Sequence, residues 1–294
     1  MRIVILGGTG FVGGHLVARL TAAGHAITVL SRNRERRRAL SVIPGVDLHS
    51  ADVYSVQALE QHFRGADAVV NLVGILNERG FNGSGFHRAH VELAAAVIAG
   101  MARAGVTRLL QMSSLRAGEG RSHYLRTRGE AEGLVKASGL DWTIFQPSVI
   151  FGSGDGLFNR FATLLRITPL MPLGRADSKL APVFVDDVCA AFERALADRT
   201  TLNKTFELYG PRVMTLREIV AYTRDQLGLR RPIVGLPDAL GWLQAAVLGL
   251  LPGKPLSLDN FRSLAVDSVG QVDGLKALGI RATPVESVVS KIKS

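Results

Sequence analysis

Cysteine is almost missing from this 294-residue chain. Cys189 stands alone, so no disulfide can form within it, and nothing in the count asks for an oxidising compartment. Long apolar runs are missing too. The longest, ALGWLQAAVLGLL at 239–251, has 13 residues, whereas a membrane span needs about 20. Its two glycines and the PGKP that follows suit a buried or interfacial helix. The opening MRIVILGGTG lacks a basic n-region and a small-residue cleavage site, so it reads as a buried strand rather than a signal peptide. Aromatic residues are scarce at 6%, and none interleaves with the basic cluster RNRERRR at 32–38. Nucleic-acid binding is therefore not expected, because stacking platforms are missing where the charge is densest. There is no internal repeat and no low-complexity linker.

Acidic residues, 25 against 35 basic ones, leave a net charge of +10. A solvated loop, an anionic membrane surface or a phosphate-bearing ligand would each account for the 32–38 cluster. With 47% hydrophobic residues the chain can bury a large core. The cytoplasm, or a position peripheral to the inner face of a membrane, fits these features.

The first half alternates short β-branched runs with helical patterns. RIVILG, AITVLSR, VDLHSAD, ADAVVNLVG, VTRLLQMSS and DWTIFQPSVIF read as strands covered on both faces. Helical patterns occupy 11–24, 55–65, 86–105 and 124–139, and each ends at a glycine. The fold class is α/β, a Rossmann doubly wound parallel sheet with a small C-terminal α/β lobe. After Gly152 the pattern changes: GSGDG is a loop signal, LFNRFATLLRI is helical, VFVDDVCAAFERALAD is strand then helix, and Thr215 and Glu218 are spaced as a capping box. The expected division is 1–152 plus about 179–210 as the nucleotide domain, with 153–178 plus about 211–294 as a smaller substrate or partner lobe.

The strongest motif is GGTGFVG at 7–13. Gly7, Gly10 and Gly13 follow a strand directly and open a helix. Glycine allows the tight turn and a close approach of backbone to a pyrophosphate, and the helix N-terminus offers free N–H groups to it. Thr9, Phe11 and Val12 complete the candidate cofactor loop. At the end of the second strand stand Ser31 and Arg32, with no carboxylate until Glu35. An acidic residue there serves a ribose 2′-hydroxyl, whereas arginine suits a 2′-phosphate, so NADP(H) is favoured over NAD(H).

These residues resemble the short-chain dehydrogenase/reductase superfamily, in its extended or atypical branch. The resemblance rests on GGTGFVG, Ala51-Asp52, NLVG at 71–74, MSS at 112–114, the SHYLRTRGEAE segment at 122–132, QPSVIFG at 146–152 and VFVDDV at 183–188. It covers most of residues 1–190 and fades after about 200. Within the branch, SHYLRTRGEAE and the tail LPGKPLSLDNFRSLAVDSV look most like proteins related to the NAD(P)H-binding accessory subunit of respiratory complex I; similar bacterial proteins are epimerase/dehydratase-like. The resemblance implies that Asp52 and Val53 lie near the adenine, that Asn71, Leu72, Val73 and Gly74 line the cofactor, and that Pro147, Ser148 and Val149 hold the nicotinamide. It also implies that Ser113 or Ser114 polarises a carbonyl and that Tyr124 is the acid/base. Asp186 and Asp187 look structural.

In the family a lysine follows the tyrosine by four positions; here it is Arg128. A phenol titrates near pH 10, about three units above neutrality, and a cation one helical turn away favours its ionised form. Arginine keeps the charge but is bulkier and planar, so contact with the nicotinamide ribose is in question. Two functions stay open: an oxidoreductase or epimerase acting on a carbonyl/alcohol centre, with a lipophilic substrate suggested by LFNRFATLLRI and PLMPLGR, or a non-catalytic NADP(H)-binding accessory or assembly factor of a membrane respiratory complex. His87 and His90, three apart on a helix, lack an evident third ligand, so they read as structural and no metal is expected.

Overall fold

A computed structural model describes residues 1–31, 43–251 and 254–289. In chain order the first half comprises β1 (Arg2–Leu6), α1 (Phe11–Ala22), β2 (Ala26–Ser31), β3 (Val46–Ser50), α2 (Val56–Phe63), β4 (Ala68–Asn71), α3 (Ser84–His87), α4 (Leu93–Ala104), β5 (Arg108–Met112), α5 (His123–Lys136) and β6 (Asp141–Pro147). The second half comprises β7 (Ile150–Phe151), α6 (Phe158–Ile167), β8 (Met171–Gly174), β9 (Lys179–Leu180), β10 (Val183–Phe184), α7 (Val185–Ala197), β11 (Lys204–Leu208), β12 (Met214–Thr215), α8 (Leu216–Gln226), β13 (Ile233–Leu236), α9 (Asp238–Leu248), α10 (Leu258–Ser263), α11 (Gly274–Ala277) and α12 (Val285–Val289).

Among the described residues, seven strands form a parallel sheet in the order β11-β6-β5-β4-β1-β2-β3. Side chains alternate across it. Ile3 and Ile5 of β1 join Leu16, Val17 and Leu20 of α1 and Val188 and Phe192 of α7 on one face. Val4 and Leu6 join Leu59 and Phe63 of α2 and Leu93, Val97 and Met101 of α4 on the other. Helices thus cover both faces, which is why β1 is apolar at consecutive positions. Gly24, Gly65, Gly105 and Gly139, the stops of the four N-terminal helical patterns, all have φ between +71° and +82°, a left-handed conformation that other residues rarely adopt. A third core, with Phe151, Phe158, Leu165, Met171, Leu173, Met214, Ile219 and Val220, lies among α6, α8 and the short strands.

Three local features depart from the sequence pattern. The helix over 86–105 is interrupted by a π-helical turn at Arg88–Glu92. VFVDDV supplies only the two-residue β10, which pairs with β7 outside the main sheet, and the helix starts at Val185. The edge strand β11 comes instead from KTFEL, beside β6. Thr215 and Glu218 do form the capping box: Glu218 N–H donates to Thr215 Oγ1 and Thr215 N–H donates to Glu218 Oε2.

Candidate functional site

The sheet order reverses between β1 and β4. At such a switch point adjacent loops diverge and leave a crevice at the carboxyl ends of the strands, the usual place for a nucleotide in this architecture. The glycine loop sits there. Gly7 has φ +80° and Gly10 is the N-cap of α1, with no side chain capping the first turn and no acidic residue in it. The N–H groups of that turn lack an intrahelical partner, and the helix dipole adds positive potential, so the loop can receive an anion. Gly13 is buried against the loop: a Cβ built there falls 2.6 Å from both the Cα and the carbonyl carbon of Gly8 and closer still to Gly7 O. Thr9, Phe11 and Val12 are partly exposed and Gly10 fully so, which leaves the cradle accessible. The residues present fit the pyrophosphate of a dinucleotide.

Other candidate residues surround this cradle. Ser31 ends β2, and its carbonyl accepts from Ala51 N–H (3.1 Å), which draws the end of β2 to Asp52 and Val53. Asp52 is exposed and accepts from Tyr54 N–H (3.0 Å), while Val53 is buried. Arg32, the basis of the 2′-phosphate expectation, lies outside the described residues. Asn71 directs its side chain into the sheet, donating to Gln111 Oε1 (3.0 Å) and accepting from Val73 N–H (3.2 Å). Leu72 N–H donates to Leu6 O (2.9 Å), so 72–74 continue beside the glycine loop.

The Tyr124 helix begins with tightly assigned donors. Ser122 Oγ accepts from Leu125 N–H (3.1 Å). The N–H groups of His123 and Tyr124 donate to the two carboxylate oxygens of Asp259, at 2.7 and 3.0 Å. The Tyr124 ring meets His90 and Phe86 edge-on, with centroids 5.5 and 6.2 Å away. Arg128 is only 5% exposed. Its guanidinium carbon lies 5.5 Å from the Tyr124 centroid, and its Nη1 donates to Met112 O (3.0 Å) and Val73 O (3.3 Å).

The two candidate serines differ in surroundings. Ser113 Oγ donates to the buried carboxylate of Glu132 (2.5 Å), which also accepts from Gln146 (2.7 Å) and Lys136 (3.0 Å). Ser114 Oγ is buried with no hydrogen-bond partner. A hydroxyl already donating to a carboxylate cannot give that proton to a carbonyl, whereas the Ser114 hydroxyl is uncommitted. Pro147 O accepts from Leu115 N–H (2.9 Å) and Val149 O from Val183 N–H (3.0 Å). Ser148 Oγ donates to Ser268 O (2.8 Å), holding the chain after β6 to the C-terminal segment. Asp259 and Glu132 were not singled out by the motifs; the S-x-x-N spacing of Ser257 and Asn260, which caps α10, marks the neighbourhood of the first but not its target.

His87 and His90 turn to different partners. His87 pairs with Glu92 at the surface. His90 is 2% exposed; its Nδ1 meets Thr127 Oγ1 (2.8 Å) and its Nε2 lies 3.5 Å from Ile75 N–H. The neutral ring with hydrogen on Nδ1 satisfies both, since Thr127 Oγ1 donates to His123 O (2.7 Å). Desolvation, helped by the positive charge of Arg128, pushes the His90 pKa down to about 2. Its folded value lies below the usual value of about 6.5, so the ring gains a proton on unfolding and stability declines as pH falls below about 6.5. The decline contributed by one such ring is at most about 1.4 kcal/mol per pH unit. Denaturant titrations from about pH 7 to pH 5 should show a shallower fall for His90→Gln than for the parent chain; equal slopes would refute this account of His90.

Comparison with known proteins places this geometry. Residues 7–157, just over half of the chain, match the family described as NAD(P)H-binding. The chain is 29% identical over 240 residues to the mitochondrial NADH-ubiquinone oxidoreductase 40 kDa subunit of Neurospora crassa, covering 80% of this chain and 63% of that subunit. It is 29% identical over 301 residues to the mitochondrial NADH dehydrogenase [ubiquinone] 1 alpha subcomplex subunit 9 of Arabidopsis thaliana, covering 95% of this chain and 73% of that one. Among solved structures, the NADPH-dependent quinone oxidoreductase QOR2 of Escherichia coli superposes with a TM-score of 0.79 at 21% identity, over 99% of this chain and 100% of that one. The dTDP-glucose 4,6-dehydratase DesIV of Streptomyces venezuelae, a double mutant, gives 0.78 at 20% identity, over 99% and 95%. At those identities the likeness is one of fold, a doubly wound α/β sheet. The family match begins in the glycine loop directly after β1 and runs through β2 to β6: the chain belongs to the NAD(P)H-binding family.

Proposed function

We propose that this chain binds NADP(H) as an accessory component of a membrane respiratory assembly and does not turn the nucleotide over. The observation that carries the reading is the commitment of Arg128, whose Nη1 is held by the carbonyls of Met112 at the end of β5 and Val73 just beyond β4. A cation anchored in this way is not free to follow a reacting phenol and a ribose through a catalytic cycle. The similarity to the Neurospora and Arabidopsis respiratory subunits supports the same reading. In this proposal Gly7, Thr9, Gly10, Phe11, Val12 and Gly13 hold the pyrophosphate; Asp52 and Val53 border the adenine; Leu72 to Gly74 flank the ligand. The nicotinamide supplies hydride chemistry only where an acceptor and a proton donor are aligned with it.

The test is to load the protein with NADPH and challenge it with quinones and aldehydes in a single turnover. The expected result is nucleotide-dependent stabilisation with no loss of absorbance from the reduced nicotinamide. Stoichiometric oxidation overturns the reading, as does a melting temperature that neither NADPH nor NADH raises. The preference for NADP(H) rests on Ser31 and Arg32. Arg32→Glu is expected to weaken NADPH at least about tenfold more than NADH; equal losses would remove the 2′-phosphate assignment.

The orphaned Ser114 hydroxyl favours a second reading, a carbonyl oxidoreductase with Ser114 as polarising group and Tyr124 as proton donor. Under it the parent chain oxidises bound NADPH in the single-turnover assay, and Arg128→Lys lowers that activity.

Peripheral attachment is assigned to α9. Among the described residues no helix is long and apolar enough to cross a membrane. The apolar segment 239–251, expected to be buried or interfacial, presents Leu240, Trp242, Leu243 and Val247 to solvent, and Leu250 near its end is 75% exposed. α9 is tied to β8 by Gln244, which donates to Pro172 O (2.8 Å) and accepts from Gly174 N–H (3.1 Å); exposed Ile167 and Leu170 lead into that strand. Lys254 lies over the exposed Phe81 ring (4.1 Å) nearby. An apolar helix face with a tryptophan and a neighbouring lysine suits the interface of an anionic bilayer. Leu243→Glu with Val247→Glu is expected to weaken flotation with phosphatidylserine-containing vesicles by about 30-fold, or about 2 kcal/mol. Undiminished flotation assigns attachment elsewhere.

A further inference from the structure

The two halves of the crevice are built differently. Over β1, β2 and β3 lies the glycine cradle, with the uncapped N-terminus of α1 open to a ligand. Over β4 and β5 the strand ends are occupied by the protein itself. Val73 O and Met112 O both accept from Arg128 Nη1. The Nη2 of the same fork lies so close to Gly74 that a Cβ there would overlap it, so only glycine fits beneath the guanidinium. Arg128 Nε is enclosed without a partner, which shows a side chain walled in at its stem and not extended into solvent. Tyr124, Phe86 and His90 close the adjoining side as an edge-to-face cluster.

A doubly wound sheet takes a dinucleotide across both halves, one mononucleotide over each. Here the first half offers unpaired donors and the second offers a surface whose acceptors are already bonded. Opening the second half would break two charge-assisted hydrogen bonds and leave Val73 O unpaired, while Met112 O keeps its bond from Gln111 Nε2 (2.9 Å); that cost opposes any gain from a ribose or nicotinamide placed there. We infer that this site selects its ligand by the adenosine-pyrophosphate half alone, so that its ligand class is ADP-ribose-type adenine nucleotides, with the dinucleotides bound as members of that class. The inference rests on the proposed nucleotide-binding function and sharpens it: the nicotinamide contributes little to affinity, whichever oxidation state it has.

Isothermal titration of the full chain tests this with matched pairs: ADP-ribose against NAD⁺ and NADH, and 2′-phospho-ADP-ribose against NADP⁺ and NADPH. Within each pair the dissociation constants are expected to agree within about threefold. A dinucleotide bound more than about tenfold tighter than its matched fragment overturns the inference while leaving nucleotide binding intact. Failure of every compound to bind overturns both together. Arg128→Ala is expected to uncover the second half and shift the ratio towards the dinucleotides by about fivefold or more. Where that variant does not fold, Arg128→Lys replaces the fork with a compact ammonium that cannot span the same acceptors, and the same shift is expected. An unchanged ratio in a folded variant refutes the role given to Arg128.

Discussion

Gly13→Ala is expected to abolish nucleotide-dependent stabilisation and to lower the melting temperature of the free protein, whereas Gly14→Ala, one residue on, is expected to do neither. The added methyl at position 13 meets Gly8 Cα and its carbonyl carbon at 2.6 Å, with Gly7 O closer. All are backbone atoms of the cradle, so no rotamer change relieves the overlap; α1 must move off the loop or the loop must open. Overpacking of this kind costs about 1–3 kcal/mol, equivalent to roughly 2–5 °C for a chain of this size. It also displaces the first-turn N–H groups from the phosphate position. At Gly14 a Cβ finds nothing within 4 Å, and alanine is favoured over glycine inside a helix by about 0.5–1 kcal/mol. Differential scanning fluorimetry with and without NADPH measures both effects. A Gly13→Ala protein that NADPH stabilises like the parent would show that α1 does not hold the pyrophosphate.

Asp259→Ala is expected to lower stability by about 2–4 kcal/mol, because two helix N–H groups lose a charged acceptor in a largely buried place. Asp259 is 8% exposed, and its carboxylate is the partner of the first two N–H groups of α5. Asp259→Asn keeps the shape and one acceptor oxygen, so about half of that loss is expected. Hydrogen exchange of the His123 and Tyr124 amides provides the local readout. Both should quicken in the alanine variant, ahead of amides in the middle of α5. A stability loss without faster exchange there would place the effect elsewhere. Asn260 of the same helix donates to Leu76 O (2.8 Å), so α10 braces both the loop after β4 and the helix that carries Tyr124.

Much of this was legible because it is local. The continuous apolar run of β1, the glycine stops of four helices, the Thr215–Glu218 cap and the strand–glycine–helix order each depend on residues within a few positions of one another. The break at Arg88–Glu92 was not legible: nothing in RAHVE departs from a helical pattern, and the π turn belongs with the burial of His90 against Thr127 on another helix. The edge strand KTFEL was hidden for a related reason, since only pairing with β6 makes a half-exposed five-residue segment a strand.

The sequence by itself determined that this chain is a doubly wound α/β protein with a glycine turn at residues 7–13 between the first strand and the first helix, because turn chemistry and side-chain period act over one turn of helix or one pleat of strand. It also placed a tyrosine and an arginine one turn apart at 124 and 128. Only the tertiary structure decided what those residues do. It turned Ser113 to Glu132 and left Ser114 unpaired, tied α5 to a carboxylate 135 residues beyond Tyr124 in the chain, and set Arg128 across the ends of two strands. The contacts of Asp259 and Arg128 join segments far apart in sequence through backbone amides and carbonyls, which every residue carries and no motif can mark.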